Sequence, residues 1–153
     1  MVQREYMVQM EKEGTARAMA TELDISPKHA IEIADFIRHM STSQAIGYLE
    51  KVARLESPIP MKRFKRNVSH KRGIPGWAAG RYPVKAAKAY IALLQSAVKN
   101  AEYAGLDTES LEIVHIAANK GRTFTRFFPR AMGRATPKRG ERVNLEVIVR
   151  EVA

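Results

Sequence analysis

The hydrophobic pattern at the start of the chain predicts a strand followed by a helix. Residues 15–25 alternate small and large side chains and include two threonines, which favours a strand over a helix. Ser26 followed by Pro27 is typical of a helix start, and five apolar residues then recur at helical spacing as far as Met40. We therefore expect the first helix over residues 27–40.

A second helix and a long loop are predicted next. Ser41 with Gln44 three residues later forms a capping-box pattern, and the apolar stripe behind it continues to Leu55. Prolines at 58 and 60 cannot continue a helix, so we expect a loop over residues 57–82. A loop of this length in a compact domain is usually either functional or disordered.

The second half of the chain predicts one long helix and two strands. Apolar positions recur on one helical face from about Pro83 to Tyr103, and Gly105 is a stop signal. Residues 111–118 and 143–152 are rich in residues that favour strands, and we expect them to pair. The predicted fold class is α+β: a single domain with a small antiparallel sheet packed against three helices.

The segment between these strands, residues 119–142, predicts an extended β-hairpin or a stretch that is disordered until a partner binds. At about 3.3 Å per residue, hairpin arms of ten residues would reach roughly 30 Å beyond the sheet. The segment carries Phe124, Phe127 and Phe128, one or two of which could equally belong to the core. A small domain cannot bury such an arm, so we expect another molecule to cover it.

The positive charge of the chain is concentrated in two tracts. The 26 Lys and Arg residues against 16 Asp and Glu residues give a formal net charge of +10. Residues 57–101 hold ten basic residues and no acidic one, and residues 120–142 hold eight basic residues beside Glu141 alone, whereas residues 1–56 carry a net −2. Such concentration is expected where a polyanion is met at particular places, because solubility alone accepts interspersed charges.

The sequence argues against catalytic and metal chemistry. It contains no cysteine, and its four histidines have no metal-ligand spacing relative to one another or to carboxylates. The glycines match neither a nucleophile elbow nor a phosphate-binding loop. We therefore expect no metal, no cofactor, no small-molecule substrate and no enzymatic activity. The N-terminus lacks the apolar core of a secretory signal and no stretch is long enough to span a membrane, so we expect a soluble intracellular protein.

The residues expected to contact RNA are the cationic side chains of the two tracts, with two aromatic ones. Guanidinium groups suit phosphate oxygens and stack on exposed bases, and the six arginines of residues 122–142 cannot all find carboxylates. Trp77 either stacks on a base or holds the loop to the fold. The full set is Lys62, Arg63, Lys65, Arg66, Lys71, Arg72, Trp77, Arg81, Lys85, Lys120, Arg122, Arg126, Phe127, Arg130, Arg134, Lys138, Arg139 and Arg142.

The run from Arg126 to Ala135, which reads RFFPRAMGRA, resembles the signature of a universal ribosomal protein family, the large-subunit family numbered twenty-two in bacterial nomenclature. The resemblance extends to the helix start at Ser26 and to the pattern Ser-Ala-x-x-Asn-Ala-Glu beginning at Ser96, and it covers nearly the whole chain from about residue 14. Residues 57–82 depart from bacterial members and look like an insertion of the archaeal and eukaryotic branch.

This resemblance implies a structural constituent of the cytoplasmic large ribosomal subunit. Its partners would be large-subunit rRNA, neighbouring ribosomal proteins and the nascent polypeptide, because the hairpin tip of the family forms part of the peptide exit tunnel wall. The tip residues would be Arg130, Ala131, Met132, Gly133 and Arg134. A free-standing regulatory or architectural nucleic-acid binder and an RNA-modifying enzyme are the alternatives, but neither a reading motif nor a catalytic cluster supports them.

Overall fold

A computed structural model describes residues 6–10 and 14–152 of the chain. Within them, three helices and the strands of one antiparallel sheet follow the predicted order, and a second, two-stranded sheet lies in the predicted loop. The larger sheet has the order β1-β5-β4 and the smaller one pairs β2 with β3. The elements are β1 (Thr15–Leu23), α1 (Pro27–Ile37), α2 (Thr42–Ala53), β2 (Ile59–Pro60), β3 (Gly80–Arg81), α3 (Val84–Tyr103), β4 (Leu111–Pro129) and β5 (Ala135–Glu151). The α+β class is therefore confirmed.

The predicted pairing of the last two strands is confirmed and continues far beyond the sheet. β4 and β5 are antiparallel neighbours from Leu111, opposite Glu151, out to Pro129, opposite Ala135. A short helical turn over Ala131–Gly133 joins them. Residues 119–142 thus form an extended hairpin, and the alternative of a segment without paired strands is wrong.

The core lies between one face of the larger sheet and the three helices. Alternation along each strand turns its small or branched residues toward the helices. Ala16 and Ala18 on β1 are 5% exposed, and their small side chains allow α3 to pack closely. Tyr90 of α3 is fully buried, and its hydroxyl donates a hydrogen bond of 2.8 Å to the carbonyl of Ala30 on α1. Burial raises the pKa of this hydroxyl far above its usual range.

The first helix is three residues shorter than predicted. α1 ends at Ile37 because the next residues pair with β4: the amide of His39 donates to Ile113, and the amide of Ile113 donates to Met40, both at 3.0 Å. The cap of the second helix is as predicted, since Ser41 accepts the amide of Gln44. The stripe, however, does not reach Leu55, which lies beyond the helix and is exposed.

The sheet face opposite the helices is also covered, in part by residues 6–10. The amide of Met7 donates to the carboxylate of Glu146 at 3.2 Å, and the same carboxylate lies 3.1 Å from His115 Nε2. Glu146 is 2% exposed and its neighbour Ile148 is fully buried. Residues 6–10 therefore pack on their own sheet, while residues 1–5 and 11–13 lie outside the described part of the chain.

The predicted loop over residues 57–82, called the basic loop below, is more regular than expected. β2 and β3 pair antiparallel at its base, and the amides of Met61 and Lys71 donate to carbonyls across it at 3.0 and 2.8 Å. Gly80 packs closely against this part of the loop, because a Cβ atom there would lie 2.5 Å from Ile74 Cδ1 and the isoleucine side chain would have to shift. The sequence could not predict this sheet, because a strand of two residues is too short to show alternating apolar and polar positions.

Candidate nucleic-acid interface

The outer half of the extended hairpin has no cover from the rest of the protein. Every residue from 122 to 140 is exposed. Phe124, Phe127 and Phe128 are 40%, 68% and 48% exposed, so none of them is a core residue. Exposed phenylalanines that lie between cationic side chains are typical of a surface that another molecule covers.

One face of the hairpin combines cations with aromatic rings. The register puts Phe124 opposite Gly140, Arg126 opposite Lys138 and Phe128 opposite Thr136, and alternation places these pairs on one face. The guanidinium carbons of Arg122 and Arg142 lie 5.1 and 5.4 Å from the ring centre of Phe124. The ammonium of Lys138 lies 4.8 Å from that of Phe128. Such contacts hold long side chains in place while leaving their charge exposed.

The opposite face of the hairpin is less charged. It carries Thr123, Thr125 and Phe127, opposite Glu141, Arg139 and Pro137. Phe127, a predicted RNA contact, is therefore separated from Phe124 and Phe128 by the thickness of the hairpin.

The tip is a tight turn with defined hydrogen bonds. The amide of Arg130 donates to the carbonyl of Arg134 at 2.8 Å, and Arg130 Nε donates to Thr136 Oγ1 at 3.2 Å. Met132 and Gly133 both have positive φ, of 59° and 66°, and the methionine side chain is 94% exposed. Methionine rarely adopts this left-handed backbone conformation, so the turn holds Met132 in a strained conformation at its outermost point.

Three of the predicted RNA contacts have carboxylate partners at the hairpin base. Asp24, in the turn between β1 and α1, lies 2.7 Å from Lys85 Nζ and 2.8 Å from an Arg142 nitrogen. Lys120 lies 2.6 Å from Glu141. The hydrogen bond from Lys85, followed by the charge of Arg142, lowers the pKa of Asp24. The sequence could not predict the pairing of Asp24 with Arg142, because the two residues are more than a hundred positions apart in the chain.

The basic loop presents most of its predicted contacts to solvent. Lys62, Arg63, Lys65, Arg66, Arg72 and Arg81 are exposed, and Lys71 is half-buried with its ammonium 5.7 Å from the ring centre of Tyr82. Trp77 is half-buried, and its indole N–H donates to the carbonyl of Met61 at 3.0 Å. This hydrogen bond shows that Trp77 holds the loop, whereas its stacking on a base stays a prediction.

The start of α1 connects the two basic tracts. A cleft of about 540 Å³ is lined by Ser26 and His29 together with Lys85 at the start of α3 and Glu141 at the base of the hairpin. A second cleft of about 350 Å³ is lined by the same Ser26 and His29 together with residues of the basic loop. The basic loop and the hairpin base therefore share one side of the molecule. Burial, with a smaller effect from Arg81, lowers the pKa of His29 in this surface.

Two side chains of this surface were missed by sequence reasoning. Phe64 lies with its ring centre 5.9 Å from the Lys28 ammonium and 5.6 Å from the Arg63 guanidinium. Lys28 belongs to α1 and Phe64 to the basic loop, so only the folded chain brings them together. An aromatic residue within the run KRFKR was the one signal that could have indicated the site.

The part of the chain that the structure describes contains neither a metal-binding cluster nor a helix that could span a membrane. In residues 6–10 and 14–152, no group of three or more His, Asp or Glu side chains is arranged to hold a metal ion. None of the helices described is both long and apolar enough to cross a membrane. What the surface offers is cationic and aromatic groups for an extended anionic partner.

Comparison with known proteins decides the family. The model of the family described as ribosomal protein L22p/L17e matches residues 18–150. The chain belongs to this family. It is 60% identical to the large ribosomal subunit protein uL22 of Methanoregula boonei and 62% identical to that of Methanoculleus marisnigri, with 97% of each chain covered in both cases. It is 51% identical to that of Methanocaldococcus jannaschii, covering 95% of this chain and 94% of the relative.

Membership in the L22p/L17e family confirms several expectations from the sequence. The protein is a ribosomal protein with a structural, non-enzymatic role, and its expected localisation in the cytoplasmic large ribosomal subunit agrees with the names of its relatives. The match includes the whole extended hairpin and the basic loop.

Proposed function

We propose that the protein binds and organises large-subunit rRNA through the extended hairpin and the basic loop. The observation that carries this proposal is the hairpin itself, whose residues 122–140 are exposed throughout and present arginines beside uncovered phenylalanine rings. Neighbouring ribosomal proteins would contact the folded part of the chain. The protein acts as one folded domain that carries two cationic surfaces, and it neutralises the mutual repulsion of RNA segments that meet on it.

Recognition on this surface follows shape and charge. Arginines contact phosphates with paired N–H groups, and rings such as Phe124 and Phe128 offer a face on which an unpaired base can stack. The cation–ring contacts already orient both kinds of group in the free protein. Binding therefore costs less side-chain conformational entropy. Because the contacts are between cations and phosphates, the affinity depends strongly on salt.

The basic loop is the second RNA contact of the proposal. In filter-binding experiments with deproteinised large-subunit rRNA of an archaeal relative, exchange of Lys62, Arg63, Lys65 and Arg66 for serine weakens binding, because four exposed cations are lost. A matched control exchanges four other exposed cations for serine: Lys51 and Arg54 on or just after α2, and Lys88 and Lys99 on α3. Equal affinity of the loop variant and the unchanged protein across a salt series would contradict the second contact.

The tip of the hairpin, from Arg130 to Arg134, forms part of the wall of the peptide exit tunnel in this proposal. Its support is the turn at the far end of the hairpin, where Met132 is almost fully exposed and both flanking arginines are held by hydrogen bonds. A photo-crosslinking residue at position 132 labels the nascent chain in stalled ribosomes. The same residue at position 103, an exposed site on α3, does not. Labelling at neither position would contradict the tunnel placement.

Sedimentation tests how stably the proposed rRNA contacts hold the protein in the subunit. Stable rRNA binding requires stoichiometric presence in the large-subunit peak that persists through a salt wash. A free or salt-labile pool would contradict the proposed contacts.

A further inference from the structure

Glu32 is a buried anion directly beneath the most cationic part of the basic loop. It lies on α1 and is 3% exposed, one of three polar or charged residues that the described part of the chain buries. A buried carboxylate needs compensation by hydrogen bonds, because transfer from water is costly. Its partners therefore show what it does.

The partners of Glu32 are three consecutive backbone amides. Oε2 accepts the N–H of Lys62 at 3.0 Å, and Oε1 accepts those of Arg63 and Phe64 at 2.8 and 2.7 Å. Hydrogen bonds to an ionised acceptor are shorter and about twice as strong as neutral ones. The carboxylate therefore fixes the backbone of three successive residues at the point where the chain turns from β2 into the exposed part of the loop.

The same short stretch is held from its other side. The Met61 side chain is 2% exposed, and its carbonyl accepts the indole N–H of Trp77 at 3.0 Å. The Lys65 ammonium lies 5.4 Å from the centre of the Trp77 ring. Two independent contacts thus hold residues 61–64, while the charged side chains of Lys62 and Arg63 remain in solvent.

We infer that Glu32 is a positioning residue for RNA binding by the basic loop. By fixing the backbone of residues 62–64, it presents Lys62, Arg63 and the following Lys65 and Arg66 in one orientation before RNA arrives. This inference rests on the proposed function, specifically on the contact of the basic loop with rRNA. Glu32 itself faces the backbone and does not touch the RNA.

The direction in which Glu32→Gln changes RNA affinity distinguishes a positioning role from an effect of net charge. Replacement of Glu32 by glutamine raises the formal net charge of +10 by one, which by charge alone strengthens the binding of a polyanion. Positioning predicts the opposite, since the amide group of glutamine offers one acceptor oxygen to three N–H groups. Glu50→Gln, at an exposed site on α2, makes the same charge change and is the matched control.

The experiment combines two readouts on the full chain. Hydrogen exchange measures the amides of residues 62–64, and filter binding to deproteinised large-subunit rRNA measures affinity over a salt series. For Glu32→Gln we expect exchange at these amides to accelerate roughly tenfold or more, the size of one lost hydrogen bond to a charged group. Affinity falls in Glu32→Gln and stays level or rises in Glu50→Gln. Glu32→Asp, which keeps the charge but is one methylene shorter, shows the same direction if Glu32→Gln folds poorly.

Combination with the loop variant completes the test. Added to the variant that exchanges Lys62, Arg63, Lys65 and Arg66 for serine, Glu32→Gln causes little further loss of affinity, because the groups that it positions are already gone. If the loop variant weakens binding but Glu32→Gln and Glu32→Asp do not, the positioning role is wrong. If the loop variant itself binds normally, the second RNA contact is wrong and the inference falls with it, whatever the amide exchange shows.

Discussion

Asp24 is the residue at which the fold and the proposed RNA surface compete for the same cations. Its carboxylate lies within 3 Å of both Lys85 and Arg142, which are predicted RNA contacts. All three side chains retain access to water, so these ion pairs add little to stability and can exchange partners. A phosphate that approaches this site competes with a carboxylate that belongs to the protein.

Asp24→Asn therefore strengthens binding to rRNA, because two cations are released and one negative charge is removed. We expect thermal unfolding to change little, since the pairs are exposed. Filter binding at several salt concentrations and a melting curve measure the two effects. Weaker binding of Asp24→Asn would show instead that Asp24 orients Arg142 for its contact.

The lowered pKa of Asp24 fixes the sign of the pH dependence at this site. A carboxyl group whose pKa is lower in the folded state stabilises the fold above its unfolded value, and the effect is lost as the pH falls through the folded value. The site therefore keeps its ion pairs from neutral pH down to the unfolded value of 3.8. A carboxyl titration followed by NMR gives a midpoint below 3.8, whereas a midpoint at or above it would contradict the pairing.

At the scale of elements, the extended hairpin is a separate unit that projects from a complete core. Buried residues of β4 end at Ile116, and those of β5 begin at Val143. The register shifts between Lys120 and Thr123, and every residue from 122 to 140 is exposed, while Arg142 at the base pairs with Asp24. The proposed binding surface therefore lies on the hairpin, whereas the buried side chains that stabilise the fold lie in the sheet behind it.

Removal of the outer hairpin tests this division. Replacement of residues 124–140 by Asn-Gly joins the paired residues Thr123 and Glu141 through a two-residue turn that suits antiparallel strands. We expect the melting temperature to shift by less than about 4 °C, since no buried side chain is lost. Affinity for rRNA falls strongly. Unfolding of the shortened protein would show that the hairpin supports the core.

The elements that the sequence predicts well are those in which a periodic apolar pattern continues over many residues or ends at a distinct signal. The helix from Val84 to Tyr103 has five turns of apolar spacing before Gly105, and the hairpin has strand-rich sequence on both sides. Contacts between distant segments could not be predicted, as with the end of α1 at Ile37. The carboxylate partners of Lys85 and Arg142 and the role of Glu32 were hidden for the same reason, because nothing in the local sequence marks them.

At the scale of the whole molecule, the two basic tracts share one side but use different groups. The basic loop and the hairpin base both border the start of α1, through Ser26 and His29. The loop is attached to α1 by Glu32 and held together internally by the hydrogen bond from Trp77 to Met61, whereas the hairpin projects from the fold. In the proposed function, one RNA segment therefore binds near the fold, while another contacts the hairpin.

The salt dependence of binding measures how these two contacts combine. Each cation that neutralises a phosphate contributes about 0.7 to 0.9 to the slope of log affinity against log salt, so four serine exchanges in the basic loop lower the slope by about 3. Exchange of Arg122, Arg126, Lys138 and Arg139 in the hairpin has the same expected effect. Because the tracts lie on different elements, a variant with all eight exchanges lowers the slope by about 6. A combined loss no greater than that of one tract would mean that only one of them reaches the RNA at a time.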